Sequence, residues 1–191
     1  MLQSVNSQTK IMVKLRQLIA GLMTATVLVS SATSVDAKKK TQGVGSLGEM
    51  SCQRIEDGMY EVINQDFPVG LQIFRGIAWF RTNGDFISKN RTNQVACRLT
   101  EAGQKPKYKT LNIAFGIADN NNKANGSLVR LSIYRDGKFY KYQDVTKGEL
   151  IRWPIDVTNV RSIALEGECL RGSVEYKNSC PALIFFEDSL Q

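Results

Sequence analysis

Histidine is absent from all 191 residues. That removes Ser-His-Asp and Cys-His catalysis, because both need an imidazole to move a proton. It also removes histidine-ligated zinc. The four cysteines, Cys52, Cys97, Cys169 and Cys180, form no C-x-x-C pair, so a zinc or thioredoxin-type site lacks its usual spacing. No G-x-x-x-x-G-K loop occurs to cradle a nucleotide phosphate. No stretch reads as a long amphipathic helix, and no internal repeat is present. A glycosidase needs only two carboxylates, but nothing in the chain pairs two of them. The chain therefore reads as non-catalytic, with no cofactor called for.

What is present begins with an export pattern. Residues 1–37 open with Lys10, Lys14 and Arg16, continue through an uncharged run from Leu18 to Val29, and end in small residues with Val35 and Ala37. That is the order of a signal peptide cut after Ala37. Met12 opens a tighter form of the same signal. The apolar run is shorter than the roughly 20 residues that a membrane span needs, and no cysteine follows it to carry a lipid. The expected destination is secreted or periplasmic, with no transmembrane segment once the signal is removed. In that setting an even number of cysteines suggests two disulfides. Four cysteines allow three pairings. Cys169–Cys180 closes a short polar loop between two expected strands, which leaves Cys52–Cys97 to tie the N-terminal lead-in to the sheet.

The formal charge is +7. Cleavage removes three basic residues and Asp36, leaving +5, and Lys38, Lys39 and Lys40 supply three of those charges. They sit in a flexible, Gly-rich lead-in over residues 38–58. The body is nearly balanced, so the basic field is a solvated tail and nucleic acid is not an expected partner.

From residue 59 to 191, short β-prone runs alternate with turn signals. The expected strands are Tyr60–Ile63, Leu71–Phe74, Ile77–Phe80, Gln94–Leu99, Lys109–Ile117, Leu128–Tyr134, Phe139–Gln143, Ile151–Val157, Ser162–Glu166 and Ala182–Phe186. Val129, Leu131 and Ile133 share one face of their strand, and Leu111, Ile113, Phe115 and Ile117 one face of theirs. Asp136-Gly137 suits a type I′ hairpin. A second hairpin is expected to link Trp79–Arg81 to Phe86–Ile87 through Asn83-Gly84-Asp85. Many short strands in one domain mean an all-β sandwich or barrel.

Three segments then carry a family likeness. CRLTEAGQKPKYKTLNIAFGIADN, GSLVRLSIYRDGKFY and WPIDVTNVRSIALEGE together resemble the NPCBM family, the novel putative carbohydrate-binding module. The matching residues are Tyr108, Lys109, Leu111 and Gly116 to Asp119, then Gly126-Ser127 and Asp136-Gly137-Lys138, then Asp156-Val157-Thr158 with Ile163 and Leu165. The resemblance spans roughly Ala78 to Leu190 and implies a galactose-binding-like jelly-roll β-sandwich that binds polysaccharide. Where the family carries a His-containing stretch with Trp before its last strand, this chain reads SCPALIFFEDSL.

Sugar recognition uses exposed aromatic faces with nearby hydrogen-bonding groups. Tyr176, Trp153, Tyr140, Tyr142 and Trp79 are the candidates, Tyr176 because it lies in the polar cysteine loop. Asp119, Asn120, Asn121, Asn122 and Asn125 cluster oxygen donors that a structural calcium would accept, with Asp119 and Asn121 as its ligands. The same run equally suits an Asn-rich turn bonded to its own backbone. Asn90-Arg91-Thr92 and Asn125-Gly126-Ser127 fit the N-glycosylation sequon. Two functions follow: an exported carbohydrate-binding module, or a structural domain that recognises a protein or envelope surface. The changed SCPALIFFEDSL stretch and the cysteine loop motivate the second.

Overall fold

The computed structural model describes residues 45–82, 86–88, 93–175, 177 and 179–191. The signal pattern, the Lys38–Lys40 tail, the Asn83-Gly84-Asp85 turn, the Asn90 sequon and Tyr176 lie outside the described residues. Among those described, no helix is long and apolar enough to cross a membrane.

Among the described residues thirteen strands follow one another: β1 (Gly45–Ser46), β2 (Ser51–Arg54), β3 (Met59–Val69), β4 (Gln72–Arg81), β5 (Phe86–Ser88), β6 (Asn93–Arg98), β7 (Thr110–Gly116), β8 (Leu128–Arg135), β9 (Lys138–Val145), β10 (Leu150–Asp156), β11 (Ser162–Arg171), β12 (Ser179–Pro181) and β13 (Leu183–Leu190). One sheet runs β10-β7-β13-β4-β3, with β1 on the end of β13; a second runs β2-β6-β11-β8-β9. The inner faces of both feed one apolar core, with Phe80, Leu111, Ile113, Phe115, Ile155 and Phe185 from the first sheet and Val95, Leu131, Ile133, Ile163 and Leu165 from the second. This is the expected β-sandwich, and the period-2 faces of β7 and β8 point as the sequence requires.

Local chemistry explains the turns. Asp136 and Gly137 have φ of 47° and 78°, and Arg135 pairs with Lys138 across them, the geometry of a type I′ turn. Gly70 and Leu71 make the same turn between β3 and β4, with φ of 58° and 66°.

Several expectations are corrected. The lead-in is not wholly flexible: residues 45–54 supply β1 and β2, and β2 lies along β6 with Cys52 directly opposite Cys97. Its side chains are largely solvent-facing, so it has no apolar alternation to read; the pairing and the disulfide hold it. Leu71–Phe74 and Ile77–Phe80 are one strand, except that Leu71 sits in the turn. β5 turns back after β4, with the Thr82 N–H and hydroxyl both donating to the Phe86 carbonyl at 2.8 Å, but its strand partner is β12. Gly43, Gly45 and Gly48 carry the G-x-G-x-x-G spacing; Leu47–Glu49 is a single 3-10 turn, so the helix that a dinucleotide loop must open is missing there.

Both expected disulfides form. Cys52–Cys97 has Cα atoms 4.0 Å apart and Cys169–Cys180 5.4 Å apart.

Candidate functional site

The site is built by a hairpin that bends over its own sheet. At the root of β3, the register with β4 slips between Val62 and Gln65, so two residues face one on the partner strand, and a bulge of this kind bends and re-aims its strand. Opposite lies Gly76, where a Cβ would come within 2.6 Å of the Phe67 ring and 3.0 Å of Ile184. Its bare backbone allows Phe67 to cross inward. Beyond the bend, the tip of the hairpin is fastened to the loop after β7. The Asp119 N–H donates to the Pro68 carbonyl at 2.8 Å, and the Leu71 N–H donates to Asp119 Oδ2 at 3.1 Å.

A second apolar cluster forms under this hairpin, away from the main core: Phe67, Ala118 and Ile184, with Ile63, Trp79 and Phe186 against them. Beside it opens a cleft of about 360 Å³ lined by Phe67, Trp79, Arg81, Asn120, Asn121 and Lys123, with small apolar groups between. That lies within the usual size of small-molecule sites, roughly 300–1,000 Å³. Trp79 is half-buried, tilted against Phe67 at 6.4 Å between ring centres. The Arg81 guanidinium lies 5.0 Å from the Trp79 ring centre and pairs with Glu61 through Nε at 3.2 Å and Nη2 at 2.5 Å. Asn121 Oδ1 accepts the Lys123 N–H at 3.1 Å. Its amide nitrogen therefore faces no partner among the described residues, and neither does the Asn120 side chain. The arrangement offers an apolar ring wall beside a row of hydrogen-bond donors, which can seat a small, flat, polar molecule.

The structure separates the other candidates from this site. Trp153 is a correction: only 7% exposed, it packs in the main core, because β10 turns it inward opposite Ile113 on β7. Tyr140 and Tyr142 lie on β9, at the edge of the second sheet. The Arg135 guanidinium covers the Tyr140 ring at 3.8 Å and that of Arg130 the Tyr142 ring at 3.9 Å. Arg130 is held there by Asp144 through two bonds of 2.7 and 2.9 Å. Of the calcium candidates, Asn121 Oδ1 accepts the Lys123 N–H in a local turn bond, and Asp119 Oδ2 accepts the Leu71 N–H from the distant hairpin tip. Among the described residues no three Asp, Glu, Cys or His side chains gather as a metal would need.

Phe67, Arg81, Lys123 and Ile184 escaped the sequence reading. The available signal was Gly76 in the middle of a β-prone run, since an interior strand glycine marks a bulge or a close approach.

No protein-family model matches this chain, and no curated protein matches it. Solved structures do. The structure of the catalytic domain with the two CBM51 domains of Clostridium perfringens ZmpB aligns over 77% of this chain and 15% of its own, with 14% identity and a TM-score of 0.52. The CBM51 of Clostridium perfringens GH95 in complex with methyl-galactose aligns over 78% of this chain and 99% of its own, with 9% identity and a TM-score of 0.51. The chain thus spans a small part of the first protein and nearly all of the second. At these identities the likeness establishes the fold: a galactose-binding-like β-sandwich of the kind seen in CBM51 carbohydrate-binding modules.

Proposed function

We propose that the chain is an exported, non-catalytic carbohydrate-binding module whose site is the Trp79 cleft. The observation that carries this reading is the pairing of Trp79 and Phe67 with Asn120, Asn121, Arg81 and Lys123 around one opening. A sugar ring has an apolar C–H face and a polar rim, and such a cleft offers a partner to each. The likeness to a module solved with methyl-galactose supports the ligand class. The NPCBM resemblance is the family reading that accompanies it. The signal pattern and two disulfides support export. The missing histidine supports a binding role over a catalytic one.

A glycan array probed with the mature, folded protein tests this. Binding to one or more polysaccharides is expected; a folded sample that binds none overturns it.

The second reading, a protein-binding domain, draws on β9. There Phe139 and Tyr142 are 57% and 49% exposed on an edge strand. A protein captured by the wild type but not by a Phe139→Ala variant would favour it.

A further inference from the structure

We propose that the Cys169–Cys180 disulfide is a positioning element of the cleft, holding the turn that carries Asn120, Asn121 and Lys123 in the binding arrangement; this rests on the reading of the cleft as a sugar site. Those three residues belong to one length of chain, from Ala118 to Ser127, that is laced by its own turn bonds. The Asn121 N–H donates to the Ala118 carbonyl at 3.2 Å, the Ala124 N–H to the Asn121 carbonyl at 3.0 Å and the Ser127 N–H to the Ala124 carbonyl at 3.1 Å. The Ser127 hydroxyl donates to the same Ala124 carbonyl at 2.8 Å. A shift at one end of such a turn therefore moves the other.

The far end of the turn, Asn125 and Gly126, is gripped by the cysteine loop. The Val174 N–H donates to the Asn125 carbonyl at 2.9 Å, and Arg171 Nε donates to the Gly126 carbonyl at 2.7 Å. Val174 also lies over Gly126, where a Cβ would come within 3.4 Å of its methyl. Arg171 and Val174 are exposed, so burial does not fix them. Their loop is closed by the bond from Cys169 on β11 to Cys180 on β12, and the Ser173 N–H donates to the Ser179 carbonyl across its neck at 3.3 Å. β12 then leads straight to Ala182 and Ile184, which line the cleft.

Cys52–Cys97 supplies the contrast. It joins β2 to β6 in the second sheet, and no residue of either strand lines the cleft. It spans a sequence separation of 45 against 11 for Cys169–Cys180, so its loss should cost the more stability of the two. The two bonds are therefore expected to rank in opposite order for stability and for affinity.

The test compares the mature protein with Cys169→Ala/Cys180→Ala, Cys52→Ala/Cys97→Ala and Arg171→Met, the last of which keeps both disulfides. The probe is whichever of soluble galactan, mannan, xylan and dextran the mature protein binds most tightly, used well below the unfolding temperature of each variant. Cys169→Ala/Cys180→Ala is expected to bind at least about fivefold more weakly, because a wall that is not held must be ordered on binding. Arg171→Met should bind about two- to threefold more weakly for the same reason. Cys52→Ala/Cys97→Ala should bind as the mature protein does while unfolding at the lowest temperature. Amide exchange at Ala124 and Ser127 should quicken in Cys169→Ala/Cys180→Ala and Arg171→Met and stay slow in Cys52→Ala/Cys97→Ala. Unchanged affinity in Cys169→Ala/Cys180→Ala overturns this inference and leaves the module reading intact. If that variant does not fold, unchanged affinity in Arg171→Met overturns it instead. Equal losses from the two cysteine pairs also overturn it, because the effect is then general destabilisation. A folded mature protein that binds none of these polysaccharides, and nothing on the array, removes both.

Discussion

The two sheets put aromatic residues on their outer faces in different ways. On the first, the β3–β4 hairpin bends at the Val62–Gln65 bulge and Gly76, so Trp79 borders a cleft instead of lying on a flat surface. On the second, β8 and β9 stay in ordinary hairpin register apart from one slip at Ile133 and Tyr134. There is no fold-back there: Tyr140 packs partly against the main core, and arginines from the strand end and the neighbouring strand lie over the Tyr140 and Tyr142 rings. At Trp79 the opening arises where the backbone beside it leaves the plane of the sheet. Arginine contact alone does not decide the matter, because Trp79 also carries one; the opening does.

The largest expected effect comes from breaking the bend. Gly76→Ala drives a methyl into Phe67 and Ile184 and should cost about 1–3 kcal/mol of stability, the usual penalty of overpacking. It should also remove glycan binding. Urea unfolding and the array read the two losses; a variant with unchanged stability would mean the bend does not depend on that glycine.

Trp79→Ala should lower glycan affinity about tenfold or more, equivalent to roughly 1.4 kcal/mol, by titration calorimetry. A smaller effect is expected at the root of the same hairpin. The Tyr60 hydroxyl, on β3, donates to Asp188 Oδ2 at 2.8 Å, and the Gly48 N–H donates to the same oxygen at 3.0 Å. Burial first, then the Asp188 carboxylate, raise the Tyr60 phenol well above its ordinary value. A phenol held neutral in the folded state contributes stability that is complete below the unfolded value of about 10 and is lost as pH climbs beyond it. Tyr60→Phe should therefore cost on the order of 1 kcal/mol near neutral pH and flatten the decline in stability above about pH 10. Unfolding curves across that range check both. The smallest effect belongs to the opposite sheet: Tyr142→Ala should change stability by less than about 0.5 kcal/mol, as exposed positions do, and leave glycan affinity alone.

These contrasts also mark what the sequence could carry. Long alternating runs such as Leu128–Arg135 announce their strand and their buried face because burial itself imposes the alternation. Asp136-Gly137 announces its turn because few residues accept positive φ at both positions. β12 and β5, three residues each, are too short for any period to show. Trp79 was legible as an aromatic candidate, but its companions were not. Phe67 reaches the cleft through a bulge, and Asn120 and Lys123 reach it because Asp119 fastens their loop to the hairpin. Those are contacts between distant segments, and no local pattern of polar and apolar residues encodes them. For the same reason Trp153 and Trp79 look alike in sequence, yet one fills the core and the other faces the cleft.

The most direct test of the Trp79 cleft as the glycan site is one array run with three folded proteins: the wild type, Trp79→Ala and Tyr142→Ala. The wild type and Tyr142→Ala should bind the same glycans alike, and Trp79→Ala should bind them at least about tenfold more weakly. Undiminished binding in Trp79→Ala would contradict the assignment, and its loss in Tyr142→Ala would move the site to the other sheet.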